Sequence, residues 1–157
     1  MLLYFMRHGE AEDTVAGQSD ADRRLTERGL QRSRQAGAAL RRMEVTLDLI
    51  LTSPLRRAVQ TAESVGEELQ VPVTVADALA GPSLDDVRQM WEEHGRPGSL
   101  LLVGHEPDFS HLVGELLDGA EVEMKQGAIA CLDCRAIIRG AGLLRWLVTG
   151  KHLSLMA

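Results

Sequence analysis

Leu2-Leu3-Tyr4-Phe5-Met6-Arg7-His8-Gly9-Glu10 is the stretch that decides the fold. Five apolar residues stop abruptly at a cation, an imidazole and a glycine. A short apolar run ended by a breaker reads as a buried strand rather than a helix. Open α/β sheets build ligand sites beyond the C-terminal ends of their strands. A central strand here would carry Arg7 and His8 into such a site, with His8 as a candidate nucleophile.

Two later stretches have the same shape. Leu47-Asp48-Leu49-Ile50-Leu51 reads as a second strand that stops at Thr52-Ser53-Pro54. Ser53 suits an N-cap and Pro54 a first helical turn. In the helix beyond, Leu55, Ala58, Val59, Ala62, Val65, Gly66 and Leu69 form one apolar stripe. Arg56 and Arg57 then fall in its first turn, beside free N–H groups and the positive end of the dipole. Two cations there conflict with the dipole unless an anion joins them, so the sequence predicts a phosphate-type ligand at this point. Ser99-Leu100-Leu101-Leu102-Val103 is the third strand, ending at Gly104-His105-Glu106-Pro107. Asp108 is expected to cap the next helix, whose stripe is Phe109, Leu112, Val113, Leu116 and Leu117, with Gly119 closing it.

The remaining segments fill in the same alternation. Ala11 to Arg24 is polar and reads as a long loop of the functional kind. Thr26 is the expected N-cap of a helix facing inward through Leu30, Ser33, Gly37 and Leu40. Val71 to Val75, with Pro72, reads as a short edge strand. Ser83 to Asp86 resembles a capping box for a helix that turns Leu84, Val87 and Trp91 inward and ends near His94. Ala128 to Leu132 and Leu143 to Val148 read as two late strands, with Gly140-Ala141-Gly142 as the turn. Helical crossovers between strands require parallel pairing. The fold class predicted is therefore α/β, a three-layer α/β/α sandwich on a mostly parallel central sheet, with residues 1–157 as one domain.

Bulk properties narrow the function. Net charge is −6, which argues against a protein held on nucleic acid by phosphate contacts. No apolar run approaches the roughly eighteen residues of a membrane span. The N-terminal run lacks a basic flank and a cleavage site, so it is not a signal peptide and a cytoplasmic location is expected. Of 17 basic residues only Lys125 and Lys151 are lysines. Composition bias explains most of that, although an arginine fork also suits phosphate. Cys131 and Cys134 have Cys-x-x-Cys spacing but no second pair for zinc. On a strand, residues three apart point to opposite faces, so two ordinary thiols are expected.

If the three strong strands are parallel, their ends bring Arg7 and His8, Arg56 and Arg57, and His105 to one edge. Two imidazoles among guanidiniums suit phosphoryl transfer through a covalent intermediate, one histidine attacking phosphorus while cations stabilise the equatorial oxygens. These residues also resemble a known family. Arg7-His8-Gly9 after an N-terminal strand, Leu25-Thr26-x-x-Gly29, Ser53-Pro54-Leu55-x-Arg57-Ala58-x-Gln60-Thr61 and Gly104-His105 are similar, in order, to the motifs of the histidine phosphatase (phosphoglycerate mutase-like) superfamily. The resemblance implies that His8 becomes phosphorylated, that Arg7 and Arg57 bind the phosphoryl group, and that His105 hydrogen-bonds it and assists proton movement. Arg56 occupies a variable position of the motif. Arg23 is a further candidate phosphate contact. No cofactor or metal is implied.

Larger members of that family place a glutamate acid/base shortly after the strand that here is Val71 to Val75. This chain reads Asp77-Ala78-Leu79-Ala80-Gly81-Pro82, with alanine or glycine where that carboxylate is expected. An alkoxide leaves badly without a proton, by analogy with water's pKa of about 15.7. An imidazole, with a pKa of about 6.5, leaves a phosphoramidate readily. The short chain and missing carboxylate resemble the SixA-type phosphohistidine phosphatases. That resemblance implies a phosphorylated protein partner, a histidine phosphotransfer domain of a phosphorelay. One alternative is a small phosphorylated substrate, with Asp85, Asp86 or Glu106 as the acid. Another is a metal-dependent hydrolase using His8, His105 and His111 with Glu106, although His105-Glu106-Pro107-Asp108-Phe109 misses the His-Glu-x-x-His spacing. His94 suits a helix C-terminus, His111 a rim and Lys125 a solvated turn, and His152 has no motif support.

Overall fold

The opening run folds as β1 (Leu2–Arg7), and its four middle residues, Leu3 to Met6, are buried. The structure is a computed structural model that describes residues 1–157. The remaining elements are α1 (Glu27–Arg42), β2 (Leu49–Thr52), α2 (Arg56–Leu69), β3 (Val73–Val75), α3 (Leu84–Glu93), β4 (Ser99–Gly104), α4 (Asp108–Leu116), β5 (Ile129–Cys134), β6 (Gly142–Val148) and α5 (Gly150–Met156), with 3-10 turns at Asp20–Asp22 and Asp77–Ala80. One six-stranded sheet has the order β3-β2-β4-β1-β5-β6. β2 pairs in parallel with β3 and β4, and β4 pairs in parallel with β1. β5 runs antiparallel to both of its neighbours. Register then decides where the functional side chains emerge. Arg7 lies beside Gly104 and Thr52 beside Val103, so β1, β2 and β4 end together.

Side chains alternate across the sheet and build two cores. Leu3 and Phe5 enter the cluster with Val87 and Met90 of α3 and Phe109, Leu112 and Leu116 of α4. Tyr4 and Met6 enter the other, with Ala36 and Leu40 of α1, Ala62 and Val65 of α2 and Leu153 of α5. Burial on both faces is why the central strands read as unbroken apolar runs rather than alternating ones. Phe5 meets Phe109 edge-on, with ring centroids 5.3 Å apart at 85°. Gly104 makes that contact possible, since a Cβ there would sit 2.5 Å from the Phe109 ring. Cys131 and Cys134 face opposite cores as free, buried thiols, and burial pushes the Cys134 thiol up to about 11.

Thr26 caps α1 as expected, its hydroxyl accepting from Gly29 N at 3.0 Å. The inward face of α1, however, runs through Gly29, Ser33, Ala36, Gly37 and Leu40, leaving Leu30 half-buried. Gly29 explains the shift: a Cβ there would lie 2.1 Å from the Glu10 carbonyl oxygen, so only glycine lets the helix start rest on the chain leaving β1. In α3, Met90 is buried where Trp91 was expected, and Trp91 is half-buried with its indole N–H donating to Pro97 O at 2.9 Å. The capping box at Ser83 and Asp86 is present. Two other caps differ. Leu55, not Ser53, is the N-cap of α2 and supplies no side-chain bond. Pro107 precedes α4, and Asp108 is already helical. Glu106 takes the capping role instead, its carboxylate accepting from Ser110 N at 2.9 Å and from the Ser110 hydroxyl. Helix α5, capped by Thr149, forms where no element was expected. No helix is long and apolar enough to cross a membrane.

Candidate active site

The common edge of β1, β2 and β4 holds His8, Arg57 and His105, all buried, together with half-buried Arg7. Backbone bonds fix the histidine strand end: His8 N donates to Gly104 O at 3.0 Å, and Gly127 N approaches the carbonyls of Arg7 and His8 at 3.1 Å each. Arg7 is held from the same segment, with Nη1 donating to Met124 O at 3.1 Å. Lys125 itself is exposed, so the Lys125-Gln126-Gly127 turn borders the site through its backbone. Gly127 has a φ of +71°, which suits the turn.

Partner chemistry fixes the His8 tautomer and anchors the His105 ring. His8 Nδ1 lies 2.7 Å from the Gly9 carbonyl, which can only accept, so Nδ1 carries the proton. His8 Nε2 is then a lone pair, and Arg57 Nε donates to it at 3.2 Å. His105 Nε2 lies 2.7 Å from Ser53 Oγ, and the same oxygen accepts from Leu55 N at 3.3 Å. Ser53 Oγ, with one proton and two lone pairs, holds the His105 ring by its Nε2 in either tautomer. Ser53 thus orients His105 in place of the capping role expected of it. The two rings are 5.2 Å apart, centroid to centroid.

Two polar atoms in this cluster have no partner, the Arg7 Nε–H donor and His105 Nδ1. Each unmade buried bond costs about 1–3 kcal/mol, a cost that an anion with several acceptor oxygens would remove. Arg57 is engaged on all sides. Beyond its bond to His8, Nη1 donates to Asp20 O at 2.9 Å and Nη2 meets the Asp20 carboxylate at 3.2 Å. Part of the anionic partner expected at the start of α2 is therefore internal. Arg23 reaches the cluster only through Asp20, its Nε lying 2.9 Å from Oδ1, while Nη1 donates to Glu12 O. Arg56 is exposed.

Thr61 joins the two halves of the site. Its hydroxyl accepts from Gly9 N at 3.1 Å and donates to Arg57 O at 2.7 Å, so the backbone that orients His8 is tied to the helix that carries Arg57. Asp20, Ser53 and Thr61 are contributions that sequence reasoning missed or misassigned. Only Ser53 and Thr61 carried a signal, as members of the Ser53-to-Thr61 motif.

Burial, and then the surrounding cations, hold both histidines neutral. His8 is lowered to about 4, chiefly by desolvation and further by His105, Arg57 and Arg7, with the Gly9 carbonyl opposing. His105 is lowered to about 4 by burial first and then by Arg57, while Asp20 opposes. Protonation would add a positive charge to a site that already holds several, so both rings should stay neutral as pH falls through 6 and gain protons only near 4. Imidazole nitrogen NMR titration tests this and reads the tautomers directly. A midpoint near 6.5 for either ring would refute the electrostatic account.

Other candidate residues lie elsewhere. His111 is exposed on α4, and His94 and His152 are exposed on the surface. No group of three or more His, Cys, Asp or Glu side chains is placed to hold a metal ion, so the His8/His105/His111 set is not assembled. Asp85 pairs with Arg88 at 2.9 Å. Asp86 is committed to Ser83, whose bonds hold its carboxyl below the usual range. Glu106 is committed to Ser110. The positions expected to bear a family carboxylate, Ala80 and Gly81, are exposed and supply no acid.

A buried imidazole lone pair beside a guanidinium donor, at the C-terminal edge of parallel strands, is an arrangement suited to phosphoryl transfer. The chain belongs to the histidine phosphatase superfamily (branch 1), whose family model matches residues 3–123. It is 31% identical to the phosphohistidine phosphatase SixA of Escherichia coli, over 99% of this chain and 98% of that protein. A 2,3-bisphosphoglycerate-dependent phosphoglycerate mutase of a Methylobacterium species is 36% identical, over 57% of this chain and 50% of the mutase. The solved structure of the protein histidine phosphatase SixA complexed with tungstate matches with a TM-score of 0.85 at 31% identity, covering 98% of this chain and 99% of that one. The chain is accordingly a phosphatase, with the phosphoglycerate mutase-like fold.

Proposed function

We propose that this phosphatase works through a phosphohistidine intermediate on His8 and takes its phosphoryl group from phosphohistidine on a phosphorelay protein, such as a histidine phosphotransfer domain. The observation that carries the mechanism is the His8 Nε2 lone pair, held by the Gly9 carbonyl in a cluster with an unpartnered Arg7 N–H and an unpartnered His105 Nδ1. In the first step His8 Nε2 forms a bond to phosphorus, and the bond from phosphorus to the leaving nitrogen breaks, its electron pair returning to that nitrogen. Arg7, Arg57 and His105 Nδ1–H take the equatorial oxygens, where transition-state charge gathers. In the second step water attacks phosphorus and the P–Nε2 bond breaks back to the His8 lone pair. One water proton stays on phosphate and the other passes to solvent. Arg23 strengthens the field through Asp20 rather than touching phosphorus.

The substrate reading rests on the carboxylates. Asp85, Asp86 and Glu106 are each engaged away from His8, so an alkoxide leaving group has no evident proton donor. An imidazole ring protonated on its second nitrogen departs neutral without one. The whole-chain similarity to SixA, a phosphohistidine phosphatase, supports the same choice. Turnover of a phosphohistidine peptide should exceed that of a sugar phosphate by about 10²-fold or more in kcat/KM, the usual size of a general-acid contribution. Preference for the sugar phosphate would reverse the assignment.

A further inference from the structure

Arg57 has an unusual companion for a phosphate-binding arginine. The 3-10 turn Asp20–Asp22, held by Ser19 Oγ accepting from Ala21 N, lays the Asp20 carboxylate on Arg57 Nη2 at 3.2 Å and on Arg23 Nε at 2.9 Å. Arg57 Nε is at the same time bonded to His8 Nε2, so the carboxylate stands one guanidinium away from the nucleophile. It is not a sealed ion pair. The Asp20 side chain is 59% exposed, while that of Arg57 is 7% exposed. The Asp20 carboxylate thus stays open to solvent while it holds Arg57. A negative charge at that position opposes the binding of any anion, which is a poor arrangement for a site concerned with phosphate alone.

We propose that Asp20 is a selectivity residue that hydrogen-bonds the second ring nitrogen of the leaving imidazole and keeps it protonated while the P–N bond breaks. This rests on His8 being the nucleophile. The step balances without any proton transfer. His8 Nε2 bonds phosphorus, the P–N electron pair returns to the ring nitrogen, and the ring leaves neutral with its other N–H still on Asp20. Without that proton the ring would have to leave as an anion. Asp20 therefore does for a phosphoramidate what a general acid does for an ester, consistent with the lack of a free carboxylate elsewhere in the site. It also disfavours substrates with a second anionic group near the phosphate.

Asp20→Asn preserves shape and an oxygen for the arginines while removing the charge. Three probes separate the effects: N-phosphoimidazole, p-nitrophenyl phosphate, and 3-phosphoglycerate, which carries a carboxylate. In the variant, kcat/KM for N-phosphoimidazole should fall about tenfold relative to p-nitrophenyl phosphate, and that for 3-phosphoglycerate should rise by a similar factor, the size of one partly screened charge. The alkaline limb with N-phosphoimidazole should also move to lower pH, because nothing then holds the ring proton. Asp20→Glu should restore both properties in part. If all three substrates fall in proportion and the limb stays in place, Asp20 only positions Arg57 and the proposal is wrong. Phosphate trapped on His8 in the wild type is read separately. Its absence would remove the nucleophile reading and this proposal together, whereas its presence with unmoved ratios removes this proposal alone.

Discussion

His8→Ala is expected to lower kcat/KM by roughly 10⁴-fold or more, since removing the nucleophile of a covalent mechanism leaves only binding and charge stabilisation. The loss should be chemical and not structural. The His8 side chain makes two bonds, to the Gly9 carbonyl and from Arg57 Nε, and the strand below it stays pinned through Leu3, Phe5 and Met6 in the two cores. Thermal unfolding should therefore move little, while phosphoenzyme disappears. In the wild type, rapid quenching during turnover of a phosphoramidate should trap phosphate that is labile to acid and stable to alkali. The variant should trap none. It should still bind inorganic phosphate, because Arg7 Nε keeps its unpartnered N–H group and Arg57 Nε loses its competing bond to His8. Binding retained with turnover lost is the signature of a missing nucleophile. Unaltered turnover would end the mechanism.

Apart from Arg23, which lies in the loop after β1, the residues that sequence reading placed in the site share one property: each stands at the end of an apolar strand or in the first turn of a clear helix. Strand ends are legible because burial on both faces makes the strands continuous apolar runs, and the parallel register then brings Arg7 and His8, His105 and Arg57 together. The expectations that failed were local ones settled by tertiary partners. Ser53 looks like a cap because serine caps helices, but His105 competes for its hydroxyl and wins. Glu106 caps α4 from outside the helix, displacing Asp108 from the role that its type suggests. Leu30 loses its place in the core because Gly29 must rest on the Glu10 carbonyl, which rotates α1 about its axis. Asp20 was invisible for a different reason. It is one of several aspartates in a polar segment, and only the folded loop shows which of them meets Arg57.

Arg57 also carries the second large effect. Its guanidinium spans from His8 Nε2 to Asp20, engaging Nε, Nη1 and Nη2 at once, and it is buried at the start of α2. On the proposed mechanism, Arg57→Ala removes a preorganised charge and a forked donor from where phosphoryl charge develops. Donors of this kind are worth about 10²–10³-fold each, and a charged bidentate group belongs at the upper end. A fall of about 10³-fold in kcat/KM is expected, borne mainly by kcat if the fork tightens in the transition state. Arg57→Lys should recover little, because one ammonium cannot reach His8 and Asp20 together. The same substitution to alanine should raise the His8 pKa above its value of about 4, since Arg57 is one of the cations that depress it, though burial keeps it below 6.5. His8 and Arg57 are therefore electrostatically coupled: on the proposed mechanism, losing the arginine should weaken phosphate binding and let acid silence His8 at a higher pH. The adjacent Arg56 supplies the control. It is exposed, and Arg56→Ala should change kcat/KM by less than about threefold, the scale of a screened surface charge. A larger loss from Arg56→Ala than from Arg57→Ala would transfer the phosphate contact to the neighbour and overturn the geometry on which the mechanism rests.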